Sequence, residues 1–327
     1  MKIIHLILSK GFAGTERYIC DLANHQQNKN KVYIIKLKTN NTDLFKKNTS
    51  KKIIYFEISD FLKKIYIKKI INKIQPDIIH AHLGSAAKIL KKKWGLYKTV
   101  TTMHMNFNKK YFSHMDGIIC SNNHQLKNIK KIYKGKIIKI LLWPIEQLKN
   151  RKNNLKQKLK IPSDYYIFGS VGRFHPQKGF DFLAKTFDEI KLNKTILLLV
   201  GNGHEQLKKQ YTHNKNIIFL DHIKRPTDIY QILDCAVFVS RWESFGITLI
   251  EAMQHKLPII TTVHEGNKDW IKRFKVAKIK IDNMKQLKKS LIFFKNSDPQ
   301  KKNYKLDIFN YQKNCNKIEK FYKSLLK

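Results

Sequence analysis

The chain reads as an α/β protein of two domains, each a layer of parallel strands and helices, facing one another across a cleft. Three observations predict this. Its 327 residues suit two domains at roughly 100–200 residues each. Short apolar runs alternate with amphipathic stretches, which calls for parallel strands joined by right-handed crossovers. That alternation stops in a polar stretch at 146–160 and then starts again. Apolar residues at 42 % and aromatics at 11 % supply two cores and set the chain apart from disordered sequences of high charge.

In the first half, Lys2 to Leu8 reads as a buried strand, and Thr15 to Gln26 as a helix with Tyr18, Ile19, Leu22 and Ala23 on one face. Val32 to Leu37 and Lys52 to Ile58 are further strands. Phe61 to Ile74 is an amphipathic basic helix, with apolar residues at 62, 65, 67, 70, 71 and 74. Strands are also expected at Ile78–His80, Thr99–Thr102 and Gly117–Ser121. In the second half, strands are expected at Tyr166–Val171, Ile196–Val200, Ile217–Leu220, Ala236–Ser240 and Pro258–Thr261. Helices are expected at Asp181–Ile190, Glu205–Tyr211, Thr248–His255, Asp282–Phe294 and Tyr311–Leu326. The resulting domains are 1–148 and 149–310, with 311–327 a terminal helix packing back on the first.

Composition excludes several classes. No apolar run approaches the ~20 residues that cross a bilayer, and Met1–Ser9 is too short for a secretory core and has no small-residue cleavage site. The expected location is the cytosol or the cytosolic face of a membrane. The net charge is +41, but only six of the 65 cations are arginines, the residue on which base readers rely. No specific nucleic acid partner is expected. Compositional drift toward Lys, Ile and Asn accounts for much of the charge, and an anionic membrane surface is the partner it suits. Cys20, Cys120, Cys235 and Cys315 lie far apart without metal spacing, and each reads as a core residue or an inert surface thiol. His80-Ala81-His82 reads as a strand end carrying ordinary histidines, so no metal is expected.

Three glycine-bearing turns follow strands: Gly11-Phe12-Ala13-Gly14, Gly172-Arg173 through Lys178-Gly179, and Gly201-Asn202-Gly203. Glycine lets the backbone approach a ligand, and a helix start just beyond offers N–H groups to phosphate. None is a dinucleotide or P-loop fingerprint. Arg173 and Lys178 put a planar fork and a point charge across a turn fixed by Pro176, a pair suited to a diphosphate. Ser240 to Ala252 carries Glu243 before a helix start near Gly246 and Glu251 about one and a half turns in. Carboxylates there suit sugar hydroxyls, and the N–H groups of Phe245, Gly246 and Ile247 suit a phosphate.

Gly172-Arg173…Lys178-Gly179, Gly201-Asn202-Gly203 and Glu243-x-Phe245-Gly246-x4-Glu251-Ala252 stand in the order found in retaining glycosyltransferases of family 4 (group 1), which have the GT-B fold of two Rossmann-like domains. The resemblance is strong over 165–266 and looser before it, at Gly11–Gly14 with Glu16-Arg17, Pro76–His82 and Thr102-Met103-His104. It implies a nucleotide-diphosphate sugar as co-substrate, no cofactor and no metal. Arg173 and Lys178 would bind the diphosphate, Glu251 the ribose, and Glu243 with the Phe245–Ile247 backbone the sugar. Gly172 belongs to the diphosphate turn, Gly203 would let the backbone pass near the nucleotide, His104 would reach the sugar, and Gly14 would lie close to the diphosphate. Retention would follow a front-face route in which the leaving phosphate takes the acceptor proton.

The chain departs from the family pattern at Leu142–Glu146, where many members have a Pro-Asn-Gly turn. It departs again at His255-Lys256, where a small residue or glycine usually precedes Leu257-Pro258. The expected acceptor is a glycan or lipid-linked molecule in bacterial envelope polysaccharide synthesis, with lipopolysaccharide core first among the candidates. Two alternatives stand beside this reading: a relative of the fold acting as a nucleotide-sugar epimerase, and a basic, non-catalytic protein of the same fold that holds anionic lipid or RNA.

Overall fold

Two all-parallel sheets, one of seven strands and one of six, organise the residues that the computed structural model describes. These residues are 1–39, 42–90, 93–104, 106–144, 153–221, 223, 225–297 and 300–327. The chain divides into two units, Met1–Trp143 with Asp307–Lys327, and Pro144–Leu306. The expected boundary after 148 falls outside the described residues.

The first sheet comprises β1 (Lys2–Ile7), β2 (Lys31–Leu37), β3 (Ile54–Ile58), β4 (Ile78–His82), β5 (Lys98–Thr102), β6 (Gly117–Cys120) and β7 (Lys136–Lys139), in the spatial order 3-2-1-4-5-6-7. Strands buried on both faces read as near-continuous apolar runs, and Ile3, Ile4, Leu6 and Ile7 of β1 are all buried. The helix Lys63–Ile74 packs Ile67, Ile70, Ile71 and Ile74 against one face, with Ala86 and Ala87 of the helix Leu83–Ile89 in the same core. The helix Tyr311–Leu326 also belongs to this unit. A Cβ on Gly117 would lie 2.9 Å from the side chains of Phe321 and Leu325, and Tyr311 donates to the Asp21 carbonyl at 2.7 Å.

The second sheet comprises β8 (Tyr166–Val171), β9 (Thr195–Val200), β10 (Ile217–Leu220), β11 (Cys235–Phe238), β12 (Ile259–Thr262) and β13 (Ala277–Ile279), in the order 10-9-8-11-12-13. The helices Phe180–Ile190 and Met284–Ser297 cover one face through Leu183, Phe187, Leu287 and Leu291. Two strands, β7 and β13, are absent from the expected set. Both are short sheet edges, Lys-Ile-Ile-Lys and Ala-Lys-Ile, whose lysines hide the strand pattern and protect the edge from pairing. All four cysteines are buried and unbridged, so the core-residue half of their reading holds.

A buried histidine network crosses the first sheet. His5 Nδ1 lies 3.1 Å from His82 Nε2, and His5 Nε2 lies 2.8 Å from Gln26 Oε1. His80 reaches Tyr322 at 2.6 Å and Thr102 at 2.9 Å. Burial disfavours the imidazolium. It lowers His5 and His104 to about 4 and holds His80 and His82 well below the ordinary 6.5.

Between about pH 6.5 and 4 the unfolded chain therefore binds more protons than the folded one, and stability rises with pH. Thermal stability of the first unit should fall steadily as pH falls from about 6.5 to 4.5. That window lies above the range where Asp116, held below its ordinary 3.8, begins to protonate. A melting profile flat across the window would contradict this assignment. A second expectation concerns Lys256, which holds a left-handed φ of 62° at the end of the helix Ile247–Gln254, a conformation that strains any residue with a Cβ. Lys256→Gly should raise stability by about 1 kcal/mol in denaturant titration, and a loss of that size would show the lysine to be supported there.

Candidate active site

In the second sheet the strand order reverses between β8 and β11, and ligands of open parallel sheets bind outside the carboxyl ends of strands at such a switch point. Two of the expected elements leave the sheet here. From β8 the chain passes Gly172 and Arg173 into a short 3₁₀ turn at Pro176–Lys178, with His175 Nδ1 accepting from the Gln177 N–H at 3.3 Å. Gly179 follows with φ of 70°. A Cβ there would stand 2.4 Å from the Val239 carbonyl oxygen, so the close passage along β11 requires glycine.

From β11 the chain turns through Ser240–Gly246 before the helix Ile247–Gln254. Gly246, at φ of 93°, precedes that helix and has no side chain to cap the first-turn N–H groups. The turns meet at an ion pair between Lys178 Nζ and Glu243 Oε1, both side chains largely shielded at 18 % and 14 % exposure. Ser240 Oγ donates to the same carboxylate oxygen at 3.0 Å. Burial by itself would raise the Glu243 pKa, but the charge and hydrogen bond of Lys178 outweigh it and hold the group below the usual carboxylate range.

Arg173 is exposed at the end of β8, and its guanidinium makes no hydrogen bond or ion pair among the described residues. Glu251 is buried on the helix after Gly246, where its Oε2 accepts from Tyr230 at 3.1 Å. Phe245 is buried against Trp270, with ring centroids 5.8 Å apart. Gly203, at φ of 88°, follows β9. Near it the Phe174, His204 and Phe219 rings cluster at the ends of β8, β9 and β10, with centroids 5.5–6.0 Å apart.

In the first unit, Gly14 begins the helix Gly14–Gln26. Glu16 fixes the loop before it by accepting from the Ala13 N–H at 2.8 Å and from the Ser9 hydroxyl. His104 follows β5, its ring edge-on to Tyr18 at 5.1 Å. Its Nε2 is buried and has no hydrogen-bond partner among the described residues.

The structure thus joins Lys178 to Glu243 and sets Arg173, Gly203, Gly246 and Glu251 on the same end of the second sheet, while Gly14 and His104 belong to the other unit. Sequence reasoning assigned no role to Arg241. It clamps the two turns together by gripping Asp181 bidentately at 2.9 and 2.8 Å, Asp282 at 2.9 Å and the Pro176 carbonyl. Arginine is rare in this chain, six of 65 cations, and that rarity marks Arg241 as much as Arg173.

Also missed was the buttress beyond β12. Gly266 packs so closely that a Cβ would stand 2.1 Å from the Glu243 carbonyl oxygen. Asn267 fixes that loop through the His264 N–H at 3.0 Å and the Thr262 carbonyl at 2.9 Å.

Among the described residues two groups have the donors for a metal ion. His5, His80 and His82 are buried, with His5 and His80 each hydrogen-bonded through both ring nitrogens. In the second group His204 is buried, with Nδ1 3.1 Å from the Gly201 carbonyl, and Glu205 and Asp221 are exposed.

Residues 151–311 match the family model described as "Glycosyl transferases group 1". The chain is 28 % identical over 244 residues to the uncharacterized glycosyltransferase MJ1059 of Methanocaldococcus jannaschii, covering 62 % of this chain and 59 % of that protein. It is 26 % identical over 296 residues to the O-antigen biosynthesis glycosyltransferase WclY of Escherichia coli, covering 80 % of each. Among solved structures, Anabaena HepE in complex with UDP and glucose superposes with a TM-score of 0.80 at 16 % identity, over 99 % of this chain and all of that one. The second unit therefore belongs to glycosyl transferases group 1, and the two parallel-sheet domains are those of the GT-B glycosyltransferase fold.

Proposed function

We propose that the chain moves a sugar from a nucleotide-diphosphate sugar to a glycan or lipid-linked acceptor, with retention of anomeric configuration, in bacterial envelope polysaccharide synthesis. The observation that carries this reading is the shielded Lys178–Glu243 pair beside the exposed Arg173, at the switch point of the sheet within the family-matched region. The O-antigen role in WclY's name and the UDP and glucose bound by HepE support the classes of acceptor and donor.

In this reading Arg173 and Lys178 bind the diphosphate and stabilise the negative charge that grows on the leaving phosphate oxygen as the anomeric C–O bond breaks. The acceptor hydroxyl oxygen bonds to the anomeric carbon on the same face and passes its proton to that phosphate oxygen, so a nucleoside diphosphate departs. Glu243, ionised and already paired, accepts hydrogen bonds from the sugar hydroxyls and is not a nucleophile; retaining hydrolases differ in using a carboxylate for that step. The Phe245, Gly246 and Ile247 backbone holds the sugar beside it, and Glu251 accepts the ribose hydroxyls. Gly172 and Gly203 admit the backbone close to the nucleotide, and Gly14 serves the diphosphate. His104 reaches the sugar through Nε2, which has no hydrogen-bond partner among the described residues. The two cations stand in for a metal, and no cofactor is used. The reaction is assigned to the cytoplasm, at an anionic membrane face.

Two measurements test this. Melting temperature should rise with at least one UDP-, GDP- or ADP-sugar, because a ligand bound by the native state alone stabilises it. Transfer from that donor should fall about 10²–10³-fold in Arg173→Ala, with melting temperature nearly unchanged, and by a similar factor in Glu243→Gln, whose melting temperature also drops because Lys178 loses its partner. Equal transfer by all three proteins would overturn the assignment. No donor response together with tight RNA binding of steep salt dependence would favour the binding-protein alternative. Separately, transfer should persist after exhaustive chelation, and a loss restored by a divalent cation would contradict the metal-free mechanism.

A further inference from the structure

We propose that Phe61–Tyr66 is an interfacial anchor that inserts into an anionic lipid bilayer, with the lysines of the helix it begins resting on the headgroups. Phe61 is 93 % exposed, Ile65 53 %, Tyr66 41 % and Leu62 39 %. These residues do not belong to the buried face of the helix Lys63–Ile74, which Ile67, Ile70, Ile71 and Ile74 already fill. Leu62, Ile65 and Tyr66 are three or four residues apart and share one helix face. The helix therefore carries a second apolar patch, at its N-terminal end and turned to water. Leaving such side chains exposed forgoes about 1.5–3 kcal/mol each relative to burial.

Local chemistry points the same way. Leu62 holds the N-cap position and makes no capping hydrogen bond, where Ser, Asp or Asn would add about 1 kcal/mol. An apolar side chain is kept there at the expense of helix stability. Lys63, Lys64, Lys68, Lys69 and Lys73 follow within eleven positions, and no acid lies between Phe61 and Ile74. The acid just before them, Asp60, is held by Lys63 and lies 3.8 Å from Lys10. An aromatic wedge followed by lysines, of which Lys63 alone has an acidic partner among the described residues, is complementary to anionic lipid, with each lysine near the surface worth about 1 kcal/mol.

This deepens the membrane part of the proposed function and is independent of the sugar chemistry. The test is sedimentation of the full chain with vesicles of phosphatidylcholine alone or mixed with phosphatidylglycerol, over a salt series. Wild type should bind the anionic vesicles and keep a fraction bound at high salt. The variant Phe61→Ser/Leu62→Ser/Ile65→Ser/Tyr66→Ser should lose at least about ten-fold in affinity and all salt-resistant binding. Lys64→Gln/Lys68→Gln/Lys69→Gln/Lys73→Gln should lose the preference for anionic lipid.

Unchanged binding in the serine variant would overturn the anchor and leave the general charge of the surface as the cause. Wild-type binding to RNA or to a protein, with none to vesicles, would overturn it too. Donor-induced stabilisation, measured on the same three proteins, separates the outcomes. If it persists while vesicle binding fails, the anchor alone is wrong; if it is absent while the anchor behaves as described, the transfer reading is wrong.

Discussion

A lysine and a glutamate 65 positions apart in the chain, leaving neighbouring strands, meet at the point on which the candidate site depends. Two charges largely withdrawn from water are costly unless each satisfies the other, and removing one leaves the partner stranded. Lys178 and Glu243 can occupy this position only because Gly179 passes against Val239 and Gly266 lies against the Glu243 carbonyl, with no room for a Cβ at either place. The pair in turn fixes the separation of the two turns. In the proposed reading an anionic ligand arriving here meets an ammonium already oriented, so little reorganisation is needed to bind phosphate.

The architecture behind this contact is topological. Strand order reverses between β8 and β11, the position at which open parallel sheets bind their ligands. Arg241 ties the turn after β11 to Asp181 and Asp282 together, and Thr262 at the end of β12 holds the start of the same turn by donating to the Ser240 carbonyl at 2.6 Å. Close packing and fixed ion pairs thus surround the Lys178–Glu243 contact, an arrangement suited to a site that must be shaped before its ligand arrives.

Much of this was legible in the sequence. Tyr166–Val171, Ile217–Leu220 and Tyr311–Leu326 have the bounds expected, because buried parallel strands and an amphipathic helix are each written in hydrophobic period. The turn carrying Arg173 and Lys178 was readable from glycine, proline and rare arginine. The ion pair was not. Lys178 and Glu243 were expected to face a ligand separately, and no local pattern reports that two residues so distant in sequence will neutralise each other. Glu251 was read for its place in the helix, while its bond from Tyr230 depends on a segment packed from elsewhere. The histidines of β1 and β4 looked ordinary one at a time; only the strand register, His5 opposite His80 and Ile7 opposite His82, gathers them into one network.

Lysine supplies most of the cations behind the +41 charge, and they are unevenly matched. Around Lys178 it is matched by a carboxylate and built into a site, whereas along the helix Lys63–Ile74 it goes largely unmatched beside exposed apolar side chains. The most direct test of the central claim is a crystal structure of the protein with a nucleoside diphosphate bound. Phosphate oxygens within hydrogen-bond distance of both Arg173 and Lys178, with Glu243 still beside Lys178, are the predicted result. A diphosphate bound away from the carboxyl ends of β8 and β11, with Lys178 and Glu243 undisturbed and untouched, would contradict it.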